Sequence, residues 1–359
     1  MKIVEIIPQL SSGGAERFVV DLCNEFVCLG HEVVLVTLYS LENNYLSFYR
    51  EELDSKVKVI SLNKKSGIDF KLYVTLNTIL KSLCPDIVHS HLRALPYLSI
   101  PIIFNRKVKY FHTIHNDAKV EASDIINRLT RKFLFRYKLC TPITISKESD
   151  TSFSIFYGSG TQRKLIINGS PLRRSDPKQA LELREAKLQG KKTLVNVARV
   201  MPQKNQRALI NAVKRIPDVD LFIVGNDTGE YADSLKLIDA PNVHFLGQRK
   251  NPRDYMSAAD AFILPSAYEG MPITLIECFS VGAIPLVTPV GGISNMVDDL
   301  NNGLVATDTS EDAIYEMITR FVALTNEQVS VLSLNSARSF SKYSIDECAN
   351  HYIDLFTNI

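Results

Sequence analysis

Short runs of β-branched and apolar residues alternate with stretches of helical periodicity along nearly the whole chain. That alternation restricts it to a fold built on parallel sheets. In the first half the expected strands are residues 3–7, 32–38, 58–62, 86–89, 108–112, 143–145 and 164–167. Helical spacing lies between several of them, clearest over 16–29, 71–83 and 125–139. Parallel neighbours need crossover connections, and right-handed crossovers place helices on both faces of the sheet. From Asn168 to Lys192 the pattern breaks into a stretch holding Gly169, Pro171, Pro177 and Gly190, which reads as a linker. It restarts over 193–198, 220–224, 243–246, 261–264 and 284–287. The expected class is therefore α/β, with two doubly wound, Rossmann-like domains facing a central cleft. The first covers residues 1–168 and the second 169–343. A chain of 359 residues is too long for one ordinary core and suits two. Ligands of such sheets sit at the carboxyl ends of the strands.

Composition narrows the partners. A net charge of +2 carries no nucleic-acid signal. The charge is uneven, however. Residues 1–170 hold 22 Lys/Arg against 16 Asp/Glu, and the remainder hold 19 against 23, so a basic half precedes an acidic one. One half is expected to face an anionic partner or surface. The six cysteines are scattered without a Cys-x-x-Cys pair and read as reduced thiols of a cytoplasmic protein. Met1 and Lys2 lead directly into a strand, with no signal-peptide pattern. The longest apolar stretch, 94–104, is about half a membrane span and contains Pro96 and Pro101. The expectation is a cytoplasmic protein, peripheral on the inner face of the membrane at most.

Chemistry concentrates at strand ends. Glu269 follows the strand 261–264, and Gly270-Met271-Pro272 then turns into an apolar helix that carries Glu277 about two turns along. An isolated pair of this kind is equally a loop acid and a helix-surface acid, but Glu277 lies between Ile276 and Cys278, and a buried acid needs a polar partner. Arg199 ends the strand 193–198, and Lys204 opens the next helix after a Met-Pro-Gln turn. Two cations beside a helix amino terminus suit a diphosphate, although exposed basic residues are the plainer reading. The first strand leads into Gly13-Gly14, where main-chain N–H groups can approach a phosphate or a sugar; a tight turn is the commoner use. The spacing lacks the Gly-x-Gly-x-x-Gly of a dinucleotide fold. His115 follows a strand and precedes a polar turn, whereas His112 sits inside the strand. His89 and His91, after the strand residues 86–88, are weaker candidates, expected in structural or rim roles.

These segments together resemble the GT-B glycosyltransferases of family 4, the retaining group 1 enzymes. The resemblance rests on Gly13-Gly14-Ala15-Glu16, the run from Val197 to Asn205, Val224-Gly225-Asn226, Phe245 to Arg249, Tyr268 to Glu277 and Pro289 to Gly292. It implies transfer of a sugar from a nucleotide diphosphate-sugar to a carbohydrate or lipid-linked acceptor in polysaccharide or glycolipid synthesis. It further implies that Arg199, Lys204, Gly13 and Gly14 hold the donor diphosphate. Glu269, Gly270, Met271, Pro272 and Glu277 would meet the donor sugar and ribose, with Gly225, Asn226, Gln248 and Arg249 around the base. His115 and Glu269 would be the catalytic pair. No cofactor and no metal are implied beyond the donor itself. Fixed cations and helix N–H groups would then stabilise the leaving diphosphate. The resemblance also places the last helix, 344–359, back on the first domain. Asn205 stands where a glycine is common, and Cys278 where alanine is common.

Some features read otherwise. Asp218-Val219-Asp220 has a metal-binding spacing but falls at the amino end of a strand and reads as a turn. The helix over 125–139 carries Arg128, Arg131, Lys132, Arg136 and Lys138 with no acid, beside Leu129 and Phe133. A basic, aromatic-bearing helix suits an anionic membrane surface; an ordinary amphipathic helix packed on the sheet is the alternative. The rival functions on the same scaffold are a nucleotide-sugar epimerase and a non-catalytic nucleotide-sugar-binding protein. The first needs a dedicated acid/base set that the sequence does not display. The second should have lost some of the cations and carboxylates that are present.

Overall fold

The structure, a computed structural model, describes residues 1–43 and 46–358. It divides into two compact units, one formed by Met1–Pro171 with the segment from Ser344 on, the other by Leu172–Tyr343. The boundary lies three residues beyond position 168. Ser170 and Ser344 form a parallel bridge there, so the chain leaves and re-enters the first unit at one point. Gly169 lies so close to the main chain of Ser344 and Ile345 that a side chain would collide.

The first unit is a seven-stranded parallel sheet. Its strands are β1 (Lys2–Ile7), β2 (Glu32–Thr37), β3 (Lys58–Ser61), β4 (Ile87–His91), β5 (Lys109–Ile114), β6 (Thr141–Thr144) and β7 (Lys164–Leu165), in spatial order β3-β2-β1-β4-β5-β6-β7. Successive side chains alternate between faces. Val4, Ile6, Val34, Val36 and Val88 face one layer, where the helix Phe70–Leu83 lays down Leu72, Leu76 and Leu80. That four-residue spacing is one helical face. The opposite layer includes the helices Gly14–Cys28 and Ile345–Thr357. Tyr352 and Phe356 of the latter are fully buried against Phe26, with Phe356 also against Phe111. Burying a phenylalanine is worth roughly 1.5–3 kcal/mol. The last helix is thus part of the first unit's core; Ile359 lies outside the described residues.

The second unit is a six-stranded parallel sheet of β8 (Lys192–Val197), β9 (Val219–Val224), β10 (Val243–Gly247), β11 (Ala261–Leu264), β12 (Pro285–Val287) and β13 (Leu304–Val305). Their order is β10-β9-β8-β11-β12-β13. The two-residue β13 is too short to register as a sequence pattern. In each sheet the strand order reverses beside the first strand of its unit. The crevice at the carboxyl end of such a reversal is the usual ligand position in open α/β sheets.

Candidate active site

In the second unit the reversal falls between β8 and β11, and the loops leaving these strands are tied together by main-chain bonds. Val200 N–H donates to Asn226 O at 2.8 Å, Ala267 N–H to Gln203 O at 2.9 Å and Gly292 N–H to Gly270 O at 2.9 Å. Two glycines make the close approaches possible. A side chain at Gly225 would strike Ala198 O, and one at Gly291 (φ +51°) would strike the carbonyl of Glu269. Lys204 does not open the helix. It ends a tight turn, Pro202–Lys204, and Asn205 follows in the left-handed conformation at φ +55° before the helix Gln206–Val213. Asparagine is among the few residues that tolerate this region, which is why it can stand in a glycine's place. Its amide also donates to Pro265 O and Thr309 O, pinning two loops at once.

The interlocked loops bring two candidate residues into contact. Lys204 Nζ lies 2.5 Å from Glu269 Oε1, and Ser266 Oγ donates to the same oxygen at 2.5 Å. Glu269 is buried. Arg199 is exposed, and its guanidinium has no partner among the described residues. The helix Ile273–Ser280 begins at Pro272 with no side-chain cap bond, so its first N–H groups have no side-chain partner among the described residues beside Glu269. Glu277 is the fifth residue of that helix, just over one turn in rather than two. It is buried and paired with Arg253 on the helix Pro252–Ala258, 3.1 Å away. Arg253 is the polar partner the sequence demanded but did not name. Around the base candidates, Gly247 takes φ +67° at a bulge in β10. Gln248 Nε2 is a buried donor with no partner among the described residues. Arg249 is occupied by Tyr255 Oη at 2.8 Å and Glu182 at 3.3 Å.

In the first unit the helix Gly14–Cys28 starts at Gly13 with no side-chain cap bond. Glu16 folds its carboxylate over Gly13, into the space a Cβ would take there, and accepts from Ser11 Oγ at 3.0 Å. A side chain at Gly13 would have to displace that carboxylate. His115 leaves β5 at its carboxyl end, and Phe18 of that first helix meets its ring edge-on at 5.8 Å. Its main-chain N–H donates to Glu121 Oε1 at 2.6 Å, and the other oxygen of Glu121 pairs with buried Arg131 at 3.1 Å.

His89 and His91 do not follow a strand; they lie inside β4 and are fully buried, as is His112 in β5. Register explains this: Glu5 of β1 pairs with His89, and His91 with Thr113 of β5, all on one face. Glu5 Oε1 lies 3.1 Å from His89 Nδ1 and Oε2 lies 2.6 Å from His91 Nε2. Burial alone would raise the Glu5 carboxyl, but the two histidines hold it down to about 2. Burial and the neighbouring His89 push His91 down to about 4. His115 is driven well below its ordinary value, first by burial and then by His91. Glu5, His89 and His91 offer ligand atoms within 4.8 Å of one another, close enough to hold a metal ion. Both carboxylate oxygens and all four ring nitrogens are already engaged in hydrogen bonds.

The basic helix spans Ile125–Arg136. Of its cations, Arg131 is fully buried and donates to Leu92 O at 2.7 Å in addition to its pair with Glu121. It cannot contact a membrane. Arg128, Lys132 and Arg136 are exposed, beside exposed Ile125, Leu129 and Phe133. No helix among the described residues is long and apolar enough to cross a membrane. Asp220 lies inside β9 and pairs with Lys191 and His244, which accounts for one member of the metal-like Asp-x-Asp.

Comparison with known proteins bears on this geometry. Residues 178–343 match the family model described as glycosyl transferases group 1, and residues 12–146 match glycosyltransferase family 4. The chain is 25% identical to an Escherichia coli UDP-Gal:α-D-GlcNAc-diphosphoundecaprenol α-1,3-galactosyltransferase, over 99% of this chain and 97% of that one. It is 24% identical, over 100% and 99%, to a Campylobacter jejuni undecaprenol-linked α-1,4-N-acetyl-D-galactosaminyltransferase. Among solved structures, Anabaena HepE with UDP and glucose superposes with a TM-score of 0.85 at 18% identity over the whole of both chains. A sucrose-phosphate synthase from Thermosynechococcus elongatus gives 0.82 at 18%, over 99% and 98%. The fold is GT-B, and the family models and relatives support a glycosyltransferase.

Proposed function

We propose that this GT-B glycosyltransferase moves a sugar from a nucleoside diphosphate-sugar to a lipid-linked acceptor hydroxyl with retention of anomeric configuration. The observation that carries the reading is the loop cluster at the carboxyl edge of the second sheet. It gathers the Lys204–Glu269 pair, the start of the helix after Pro272 and, on the loop after β8, the exposed Arg199. Expelling a nucleoside diphosphate develops negative charge on phosphate oxygens. Arg199, Lys204 and the helix N–H groups supply fixed positive charge without a metal, each such group typically worth a few kcal/mol. Glu269, held by Lys204 and Ser266, contacts the donor sugar; Glu277, oriented by Arg253, contacts the ribose. Gly13 and Gly14 take the phosphate side of the donor and His115 its sugar, as the resemblance implies. The leaving phosphate then helps to remove the acceptor proton on the face it departs from.

The names of the relatives support these substrate classes. The E. coli protein is named for UDP-galactose and an undecaprenol diphosphate acceptor, the C. jejuni protein for an undecaprenol diphosphate-linked sugar. HepE structures contain UDP or UDP-glucose. With a polyprenol acceptor, the proposed place of work is the cytoplasmic face of a membrane. The exposed apolar and basic side chains of the helix Ile125–Arg136 are the surface proposed to meet it. The test is incubation of the protein with UDP-sugars and a short polyprenyl-diphosphate-linked sugar, with and without excess chelator. The expected product is an α-linked disaccharide lipid, formed equally in chelator. Inversion at the anomeric carbon, or loss in chelator with recovery on added manganese, refutes the mechanism. Isomerised donor without transfer refutes the function.

A further inference from the structure

The buried polar groups beneath His115 form one connected set. A carboxylate only accepts hydrogen bonds, and a neutral imidazole has one donor and one acceptor nitrogen. Glu5 therefore fixes the direction of every bond that leads away from it. His91 must donate through Nε2 to Glu5, so its Nδ1 is an acceptor. His115 Nε2 lies 2.9 Å from that Nδ1 and must carry the proton. His115 Nδ1 is then bare, and it has no partner among the described residues. A second branch follows from the same root. His89 Nδ1 donates to the other oxygen of Glu5, and His89 Nε2 accepts from Thr113 Oγ1 at 2.7 Å. Thr113 Oγ1 in turn accepts from Tyr352 Oη at 3.0 Å. With neutral rings every link is satisfied in this arrangement; Glu5, His89, His91, Thr113 and Tyr352 are buried away from water that could reorient them, and His115 is half-buried above them.

We propose that Glu5, acting through His91, is a positioning residue that holds His115 as the Nε2–H tautomer and so presents a bare Nδ1 to the substrate. The consequence for transfer rests on the reading of His115 as a contact of the reacting sugar; the tautomer does not. A ring so held accepts a hydrogen bond from a sugar hydroxyl and cannot donate one through Nδ1. Burial and the neighbouring ring oppose a second proton, which keeps that lone pair available near neutral pH.

The tautomer is read directly by long-range proton–nitrogen correlation spectra of protein labelled with 15N-histidine, the His115 ring being assigned from His115→Gln. The expected wild-type ring is neutral, with its proton on Nε2. A ring protonated on Nδ1, or on both nitrogens at pH 7, overturns the chain regardless of any activity. Two variants then connect it to transfer. His91→Leu removes the acceptor and should mix the His115 tautomers, with kcat falling about tenfold, the loss of one hydrogen bond. His91→Asn keeps an acceptor near the Nδ1 position and should restore most of both. Equal loss in the two variants with an unmixed tautomer overturns the positioning role. Mixed tautomers with undiminished transfer leave the chain standing and remove His115 from the substrate contacts.

Discussion

Replacing Arg131 by methionine should destabilise the first unit far more than any other cation change on its helix. The guanidinium is fully buried, 3.1 Å from Glu121 Oε2 and 2.7 Å from Leu92 O. Methionine fills much of the same volume but leaves Glu121 buried without its counter-charge. The carboxyl already sits above its ordinary value because burial outweighs the attraction of Arg131. Removing one partner of such a pair costs about 3–5 kcal/mol, because a desolvated charge is left behind. For a unit of this size each kcal/mol moves the thermal midpoint by about 2–4 °C, so the transition should fall by roughly 6–20 °C. Lys132, one residue on and exposed, supplies the control. Lys132→Met should stay within about 0.5 kcal/mol of the wild type. Scanning calorimetry of the two variants gives the comparison. A midpoint for Arg131→Met within 2 °C of wild type would refute the assignment of Arg131 as a buried structural cation.

Changing Arg128, Lys132 and Arg136 together to Glu, with Arg131 kept, should release the protein from anionic vesicles and leave its thermal midpoint nearly unchanged. Each lost cation is worth about 1 kcal/mol of surface attraction, so co-sedimentation that ignores lipid charge and salt in the wild type would reject the membrane surface. Arg199→Ala should weaken UDP binding at least tenfold in calorimetry without lowering stability, since the side chain has no partner to lose among the described residues. Lys204→Ala should weaken binding and also lower stability, because Glu269 is left buried with Ser266 alone; unchanged affinity in both variants would place the diphosphate elsewhere. Stability of the first unit should decline as pH falls from 6.5 toward 4. His91 holds off its proton to about 4 in the folded state while the unfolded chain binds one near 6.5, at up to about 1.4 kcal/mol per pH unit, and His112 and His115 act in the same direction. A urea midpoint that is flat between pH 7 and 5 would contradict this.

Sequence alone determined the alternation of strands and helices, the break between the two series, and which loops carry the polar residues. These are local properties, readable because strand and helix periods differ and because glycine, proline and asparagine mark the turns. It also displayed two signals that only the fold makes sense of. Glu5 is a lone acid in the apolar run Ile3–Ile7, and Arg131 stands four residues after Asn127 and three before Leu134, on the inward face of its helix. What tertiary structure decided was partnership. Strand register set Glu5 beside His89 and brought His91 level with Thr113, converting four scattered residues into one hydrogen-bonded set. Helix packing chose Arg253 for Glu277 and Glu121 for Arg131, across 24 and 10 residues of sequence. The loop after β8 carried Lys204 to Glu269, 65 residues away. No local pattern encodes such pairs, because a buried charge is compatible with any counter-charge the fold delivers, and which one arrives depends on the sheet order and on the helices that cover it.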